Sequence, residues 1–389
     1  MIEEARAYLN EALDYIQEHS VRREHIDWPT LRQEVFALAA HAQTPAETYP
    51  AIERALECLD DRHSFFRTPE QLQLLDDGKL QLTGVRAGYP EGIIGMVDPG
   101  SPAEKAGVHV GERIETINHQ PITALTHAQF RKLLRGAQLD LTLRAGEQGS
   151  SRSLHLQADA YEATWLPQGR RLEHNIGYLA LPGLLCGEPE FDQVYAETTQ
   201  QLIREIDSTP PRGWIIDLRR TLGGSVWPMW AGLGPVLGEG EIVSFVAPAE
   251  KVVVSFRSGQ ASTEQWGVIT EVNGPYQLKR PWPAVAVLTS PLTASAGEFA
   301  ALAFRERPRT RSFGEPTCGV PTGNDGMQLS DGARIALTTH LGADRTCRPY
   351  DDSLPPDQYV QIDWTRLGTV DDPVLQAAVC WLLTEKDSL

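Results

Sequence analysis

The sequence lacks the features of a membrane-spanning or nucleic-acid-binding protein. It contains no run of about eighteen apolar residues, which excludes a membrane-spanning helix. Basic residues are few, because 35 lysines and arginines stand against 52 aspartates and glutamates. The resulting net charge of −17 argues against nucleic acid and anionic membrane surfaces as partners.

Cysteine is scarce as well, with five residues scattered along the chain and no CxxC pair. The odd number and the wide spacing argue against a disulfide framework and against a zinc site. We therefore expect no metal and no cofactor. The N-terminal helix also lacks the basic start and apolar middle of a signal peptide. We expect a cytoplasmic protein, or an exported one if a signal has been removed.

The chain has the length and apolar content for two or three packed domains, with 389 residues of which 41% are hydrophobic. Residues 1–78 form the first predicted region. It is helical, because Ala5, Leu9, Leu13 and Ile16 recur at helical spacing. The helical periodicity stops at the segment RHSFFRTPE.

Residues 79–148 form the second predicted region, a compact module of strands and short helices. The strand GIIGMV is followed by DPGSPAEKAGV, in which Ser101 caps a short helix and Pro102 occupies its first position. The strand ERIETI, the turn NHQP, the helix THAQFRKLLRGA and the alternating strand LDLTLRA come next. This order resembles a PDZ domain. The resemblance implies protein or peptide partners whose carboxyl termini the module holds.

Residues 149–389 form the third predicted region, in which strands and helices alternate. The strand IGYLALPG, the helix FDQVYAETTQQLIREID and the apolar strand GWIIDLR follow one another. A buried strand after a crossover helix indicates a parallel β–α–β unit. The strand AVAVLT and the helix that starts at Ser295 repeat the pattern. We therefore predict an α/β core.

Two glycines, Gly223 and Gly224, follow the buried strand GWIIDLR. Paired glycines let the backbone come close to a ligand and turn an N–H outward, as an oxyanion hole requires. Taken alone, the pair is better explained as a turn after a strand. Ligands of parallel α/β sheets bind beyond the carboxyl ends of the strands, which favours the functional interpretation.

Ser295 occupies the same topological place, after the strand AVAVLT and at the start of a helix. Glu298 follows at the spacing of a helix capping box, in which it has a structural role. A serine at a helix start also meets free N–H groups and the positive end of the helix dipole, which stabilise an alkoxide or oxyanion. The spacing by itself favours the cap.

A serine nucleophile needs a base. His63 is the strongest candidate among ten histidines, because it stands in the non-helical segment DDRHSFF beside aromatic residues that can shield it. A structural histidine in a turn is the alternative.

The PDZ-like region, IIDLRRTLGG, TASAGE and FGEPTCGVPTGNDG occur in the order found in the tail-specific, or carboxyl-terminal-processing, serine peptidases. The chain resembles this family, including its tricorn-like branch, over roughly residues 50–365. The resemblance implies a crotonase/ClpP-like α/β core with an inserted PDZ domain. It also implies that Ser295 is the nucleophile, and that the N–H of Gly223 or Gly224 forms an oxyanion hole with that of Ala296.

One position departs from the family. The processing peptidases carry a lysine base in GEPTxGKG, and Val320 stands at the matching position. The tricorn-like branch uses a histidine from a segment ahead of the core, so the resemblance assigns the base to His63. The late acidic stretch CRPYDDSLPPDQYV makes Asp351 or Asp352 a candidate acid that orients the histidine, with Ser64 as another candidate neighbour.

These inferences predict a serine endopeptidase that hydrolyses peptide bonds through an acyl-enzyme on Ser295. A more specific form of the prediction places the cleaved bonds near protein carboxyl termini. The alternative is a catalytically inactive PDZ-containing protein that only binds peptides, because the family lysine is absent. An esterase on the same core would share the machinery, and homo-oligomerisation stays open.

Three further side chains have a functional and a structural interpretation. Cys318 is a rival nucleophile, because a thiolate needs less activation than a hydroxyl group. It matches a variable position of the family, which favours a packing role. Trp227 and Trp230 can line a substrate groove, but core aromatics are the simpler interpretation.

Overall fold

The computed structural model describes residues 1–146, 149–163, 165–185 and 189–385. The N-terminal region is helical, as its periodicity predicts. Its elements are α1 (Glu3–His19), α2 (Trp28–Leu38), α3 (Tyr49–Cys58), strand β1 (Phe65–Arg67) and α4 (Pro69–Asp76). Within the described residues, no helix is long and apolar enough to cross a membrane.

The PDZ-like module contains the predicted strands and helices. Its elements are β2 (Lys79–Leu82), β3 (Val85–Ala87), β4 (Ile94–Val97), α5 (Pro102–Lys105), β5 (Glu112–Ile117), β6 (Gln120–Pro121), α6 (His127–Leu134), β7 (Gln138–Ala145) and β8 (Ser151–Gln157). Strands β6, β5, β7 and β8 form one sheet, so the module reaches Gln157, beyond the predicted boundary at 148. Phe130 of α6 is buried against Ile94, Leu139 and Leu141.

The remaining chain forms the core. Its elements are β9 (Asp159–Glu162), β10 (Gln168–Leu172), β11 (Ile176–Ala180), α7 (Pro189–Ile206), β12 (Gly213–Asp217), α8 (Trp227–Leu237), β13 (Gly240–Ala247), β14 (Glu250–Arg257), β15 (Gln260–Thr263), β16 (Gly267–Glu271), β17 (Ala284–Thr289), α9 (Ala296–Phe304), β18 (Thr310–Gly314), β19 (Thr322–Gln328), β20 (Arg334–Ala343), β21 (Pro349–Tyr350), β22 (Gln358–Tyr359) and α10 (Pro373–Thr384). Strand β9 pairs with β2, so the segments that lead into and out of the PDZ-like module lie side by side.

The first core sheet has the strand order β10-β11-β12-β17-β18-β22 and is parallel from β11 onward. The predicted parallel β–α–β unit is therefore confirmed. Strands β12 and β17 are buried along their whole length, because α7, α8 and α9 cover one face of the sheet and α10 covers the other. Burial on both faces explains why these strands read as continuous apolar runs.

The second core sheet is antiparallel, with the order β1-β20-β13-β14-β15-β16 and with β19 and β21 also paired to β20. Strand β1 belongs to the N-terminal region, and its Phe65 lies opposite Ala336. Helices α1 to α3 share a hydrophobic cluster with Phe66, Ile335 and Leu337. The N-terminal region thus packs on the core, and this pairing brings the segment that precedes Phe65 to it.

Candidate active site

The loops that follow β12 and β17 lie side by side, because the two strands are parallel neighbours. The N–H of Ala294 donates to the carbonyl of Thr221 at 2.9 Å, and the hydroxyl of Thr293 donates to the carbonyl of Leu218 at 2.9 Å. Both bonds join the serine loop to the glycine loop. The sheet topology therefore puts the paired glycines and Ser295 at the same edge.

Ser295 has an unusual backbone conformation, with φ of 52° and ψ of −111°. An ordinary helix N-cap residue is extended, whereas positive φ is rare for a non-glycine residue and is found preferentially at functional sites. Ser295 is only half-buried, and Ala296 after it is the first residue of α9. The N–H of Ala296 is therefore among the donors that have no partner within the helix.

Gly223 and Gly224 both have positive φ, of 126° and 101°. A Cβ atom on Gly223 would lie 3.3 Å from the Cβ of Ser295, so this glycine borders the serine directly. Gly224 instead turns toward Leu184, with which it forms a parallel bridge, and a Cβ there would collide with the Leu184 carbonyl oxygen. Of the two candidate oxyanion donors, Gly223 is the one beside Ser295.

Glu298 is fully buried and joins the serine to a second segment of the chain. Its carboxylate accepts the N–H of Ser295, Gly319 and Val320, each at 2.9 Å, and the hydroxyl of Thr317 at 2.5 Å. Burial outweighs these four donors and raises the pKa of Glu298 to about 7. The structural role expected for Glu298 is thus larger than capping, since it anchors residues 317–320 beside the nucleophile candidate.

His63 is buried at the other end of that segment. A hydrogen bond of 2.7 Å joins its Nδ1 to Oγ1 of Thr322. Asn324 donates to the His63 carbonyl at 3.1 Å, and the carboxylate of Asp61 accepts the His63 N–H at 2.9 Å. Burial, together with the positive charges of nearby arginines, lowers the pKa of His63 to about 3. The imidazole is therefore neutral at ordinary pH, as a general base must be.

The segment from Thr317 to Thr322 connects the two candidate catalytic residues. At its start it is bonded to Glu298, which in turn holds the N–H of Ser295, and at its end it is bonded to the ring of His63. Val320, at the position of the family lysine, is buried within this segment. The structure thus brings His63, from the N-terminal region, to the same side of the core as Ser295.

Neither candidate acid is bonded to the ring of His63. Asp352 is exposed and forms an ion pair with Arg62 at 3.4 Å, and Asp351 is also exposed on the surface. Ser64 donates to Asp61 at 2.5 Å. The group that contacts Nδ1 of His63 is Thr322, which the sequence analysis missed. The sequence offered one indication of Thr322, because it stands in PTGND, two positions after the position that matches the family lysine.

The structure also distinguishes the functional from the structural interpretation of three further residues. Burial raises the pKa of the Cys318 thiol, which disfavours the thiolate and weakens this cysteine as a nucleophile. Trp230 is fully buried among core side chains, as the structural interpretation predicts, whereas Trp227 is only half-buried. The described cysteines are free thiols, and Cys186 lies outside the described residues.

Helix α6 of the PDZ-like module faces the candidate site. Its Arg131 donates to the carbonyl of Arg62, directly before His63, at 3.0 Å. A cavity of about 100 Å³ separates the module from the core. Its lining includes Phe130 and Arg131 on the PDZ side and Leu222, Ala294 and Cys318 on the core side. The module therefore stands next to both the glycine loop and the serine loop.

Two protein-family models match the chain. Residues 93–144 match a PDZ domain, and residues 175–359 match peptidase family S41. The chain is therefore similar to peptidase family S41 over the region that carries the glycine and serine loops. The S41 match contains both Gly223 and Ser295, together with the segment that links Ser295 to His63, while His63 itself precedes it.

The chain is also similar to curated processing peptidases. It is 26% identical over 368 residues to carboxyl-terminal-processing peptidase 2, chloroplastic, of Arabidopsis thaliana, which covers 87% of this chain and 66% of that protein. It is 24% identical over 298 residues to carboxy-terminal processing protease CtpA of Bacillus subtilis, which covers 74% of this chain and 58% of the relative. The chain thus spans less than two thirds of the length of these two relatives.

Solved structures share the fold. A photosystem II D1 C-terminal processing protease has a TM-score of 0.62 at 22% identity, with 98% of this chain and 97% of that chain covered. A lipoprotein from Streptococcus agalactiae has a TM-score of 0.61 at 17% identity, with the same coverage. The predicted tail-specific peptidase family and PDZ domain are confirmed, and the family match favours the peptidase over the inactive binding protein.

Proposed function

We propose that this chain is a serine endopeptidase of the Ser/His, tricorn-like type that cleaves peptide bonds near protein carboxyl termini. Ser295 is the nucleophile and His63 is the general base. One observation carries the proposal: a strained serine at the head of a buried helix is tied, through residues 317–322, to a buried neutral histidine. A helix cap alone requires neither the strain nor the histidine.

The catalytic steps follow from this arrangement. When the Thr322 hydroxyl accepts a hydrogen bond from Nδ1–H, the Nε2 lone pair of His63 is free to accept the Ser295 hydroxyl proton. The Ser295 oxygen then forms a bond to the peptide carbonyl carbon. His63 returns the proton to the leaving amine as the C–N bond breaks. Water releases the acyl group by the same steps, with His63 again as base.

The oxyanion hole consists of the N–H groups of Gly223 and Ala296. Gly223 borders Ser295, and Ala296 is at the positive end of the α9 dipole. The low pKa of His63 makes this hole important, because the buried imidazolium that forms has no carboxylate at Nδ1. The negative oxyanion supplies the counter-charge at the moment when His63 becomes charged.

Thr322 takes the orienting role that the resemblance assigns to Asp351 or Asp352. A neutral hydroxyl partner at 2.7 Å fixes the ring and its tautomer without adding a buried charge. Val320 excludes a Ser/Lys dyad at the family's usual position. His63, a neutral basic side chain bonded to Thr322 at the end of the Thr317–Thr322 segment, therefore takes the role of the base.

The PDZ domain supplies the substrate class. PDZ domains bind extended peptides and hold their carboxyl termini, and this one stands beside the glycine and serine loops. Protein or peptide substrates captured by their carboxyl termini would thus be presented close to Ser295. We further propose that the core is of the crotonase/ClpP-like type, which the parallel strands β11, β12, β17 and β18 and the helix that starts after Ser295 support.

The proposal is tested by labelling the whole protein with a fluorophosphonate probe and mapping the modified peptide by mass spectrometry. We expect labelling at Ser295 that is abolished in Ser295→Ala and strongly slowed in His63→Ala. The matched control is His155→Ala, which removes an exposed PDZ histidine and should label at the wild-type rate. A folded wild type that does not label, or labelling indifferent to Ser295→Ala and His63→Ala, would return Ser295 to a structural role.

A further inference from the structure

We infer that Trp227, Phe245 and Trp266 form a subsite for one aromatic or large aliphatic side chain of the peptide substrate. The inference rests on the proposed function in that it takes the substrate to be a peptide held beside Ser295. Binding to the subsite does not require catalysis, so the two can be tested separately.

The three rings form a compact cluster. The ring centroids of Trp227 and Phe245 are 6.0 Å apart, those of Phe245 and Trp266 are 6.0 Å apart, and those of Trp227 and Trp266 are 6.2 Å apart. The two tryptophans meet edge to face, at an interplanar angle of 70°. These separations lie in the range of favourable aromatic contact, and a further ring can add to such a cluster in the same geometry.

The cluster extends from the buried core to the surface. Phe245 is buried in the core, Trp227 is half-buried, and Trp266 is 44% exposed. Val268 and Ile269, on the strand after Trp266, are exposed as well. The N–H of Trp266 donates to the Thr263 hydroxyl at 2.8 Å, which fixes the turn that carries the indole. Exposed apolar patches on a protein surface mark sites that bind proteins, membranes or ligands.

The cluster is continuous with the candidate active site on three sides. Trp227 starts α8 directly after the Gly223–Val226 loop. Phe245 contacts Phe299, one helical turn after Ser295, with centroids 4.7 Å apart. A Cβ on Gly323, the neighbour of Thr322, would lie 2.8 Å from the Phe245 ring. The rings therefore adjoin the oxyanion loop, the first turn of α9 and the strand that holds His63.

The position of the ring cluster beside the candidate active site determines which substrate side chains it can bind. We place one side chain of a peptide whose carbonyl lies at the Gly223 and Ala296 N–H groups on the ring cluster, because Trp227 directly follows the Gly223–Val226 loop. The walls are aromatic, so a phenylalanine, tyrosine, tryptophan or leucine side chain gains contact area there, whereas alanine or aspartate does not. The subsite would therefore make large apolar residues preferred near the cleaved bond.

The first test measures cleavage of a peptide library by the full-length chain. We expect kcat/KM for peptides with phenylalanine near the cleaved bond to exceed that for the alanine counterparts. In Trp266→Ala this ratio should fall about tenfold or more, because a lost apolar contact in a specificity pocket costs that much. Trp266→Phe should restore most of the ratio, which separates a missing ring from a damaged fold.

Trp282→Ala is the matched control. Trp282 is also 44% exposed, but it packs against Gly238 and Arg307, beyond the far ends of α8 and α9. Its loss should leave the phenylalanine-to-alanine ratio unchanged. A ratio that falls equally in both variants, or that survives in Trp266→Ala, would overturn the subsite.

The second test uses Ser295→Ala, which cannot cleave, and two peptides that differ only in phenylalanine or alanine at one position. Calorimetry should show tighter binding of the phenylalanine peptide, and Trp266→Ala added to Ser295→Ala should remove the difference. If the wild type cleaves nothing but this difference persists, the proposed function fails and the subsite stands. Equal affinities for the two peptides would refute the subsite even in an active enzyme.

A second copy of the chain is the other occupant that an exposed apolar surface can take. Light scattering after size-exclusion chromatography distinguishes it. An assembly in the wild type that dissociates in Trp266→Ala, with an unchanged cleavage ratio, would assign the surface to self-association and overturn the subsite.

Discussion

Ser295 and His63 reach the candidate active site by opposite routes. Ser295 stands at the end of a fully buried parallel strand, and its loop is bonded to the neighbouring loop by Ala294 and Thr293. His63 comes from a region ahead of the PDZ domain and is held by Asp61, Thr322 and Asn324. The proposed nucleophile is thus part of the sheet edge, whereas contacts between distant segments position the proposed base.

The difference extends to electrostatics. A buried arginine, Arg219, stabilises the serine side by bonding Asp217 at 2.6 Å and Asp372 at 2.8 Å, so charges there are paired. The base has a hydroxyl partner in Thr322, and Arg131 and Arg135 of the PDZ domain disfavour its protonation. A peptidase built this way keeps its base neutral and relies on the oxyanion hole to stabilise the charged transition state.

The largest effect is expected at the serine edge, from Gly223→Ala. The new methyl group would lie 3.3 Å from the Ser295 Cβ, at a φ of 126° that alanine rarely adopts, so the N–H must move. We expect kcat/KM to fall by about 10² to 10³, as when an oxyanion donor is lost.

The control for that loss is Gly107→Ala. Gly107 also has positive φ, but a Cβ there meets nothing within 4 Å. It should lose stability through the same backbone strain and keep its kcat/KM. Comparable activity losses in the two variants would mean that strain alone, and not the position of the Gly223 N–H, explains the result.

The next effect is expected on the base side, from Thr322→Val. Valine keeps the shape but removes the partner of His63 Nδ1, which leaves a buried polar group unsatisfied at a cost of about 1 to 3 kcal/mol. We expect kcat/KM to fall by about 10- to 100-fold, and the pKa of His63, followed by NMR titration, to change. Thr322→Ser retains the hydroxyl and should keep most of the activity. If valine and serine behave alike, Thr322 only fills space.

The link between the two sides should depend on pH through Glu298. Below about pH 7 its carboxylate gains a proton, so one of its four donors loses its acceptor and residues 317–320 loosen. We expect kcat/KM to fall as the pH decreases through about 7 and to level off near the activity of Glu298→Gln. His63 does not cause this fall in kcat/KM, because its pKa of about 3 keeps the imidazole neutral in this pH range. This pH dependence below 7 should be absent in Glu298→Gln. If the variant loses activity below pH 7 as the wild type does, the assignment to Glu298 is wrong.

Stability should respond to the same proton in the opposite direction. The pKa of Glu298 is higher in the folded state than the usual 4.5, so the folded state binds the extra proton between these two values. Its contribution to stability is therefore full below about pH 4.5 and is lost as the pH rises to 7. Urea unfolding at pH 5 and pH 7.5 should show this difference in the wild type relative to Glu298→Gln.

The smallest effect is expected from Asp352→Asn. Its carboxylate is exposed, and its ion pair with Arg62 at 3.4 Å contributes little in water. We expect at most about a twofold change in kcat/KM at low salt. A loss as large as that of Thr322→Val would reinstate Asp352 as the residue that orients His63.

The sequence predicted the parts of the site that are local. The buried runs GWIIDLR and AVAVLT, with their glycine pair and their serine, predict two neighbouring loops at one sheet edge, because parallel strands end on the same side. The capping-box spacing of Ser295 and Glu298 predicts the helix start. Periodicity also predicts the N-terminal helices and the strands of the PDZ domain.

Other features could not be predicted because they depend on pairing between distant segments. The partner of His63 is Thr322, on a strand that is paired with β20, and the acidic stretch chosen from the sequence pairs with Arg62 instead. The burial of Trp227 and Trp230 also differs, although both stand on one helix, because only Trp230 faces the core.

By itself, then, the sequence determined the α/β core and the PDZ domain, since periodicity, strand burial and turn residues are properties of contiguous segments. The order of its motifs, through the family resemblance, indicated Ser295 as the candidate nucleophile. The tertiary structure decided which residue orients His63, that Gly223 and not Gly224 borders Ser295, and that the conformation of Ser295 is not that of an ordinary cap. Those outcomes depend on atoms that are far apart in the chain and come within a few ångströms only when the strands pair and the two sheets pack.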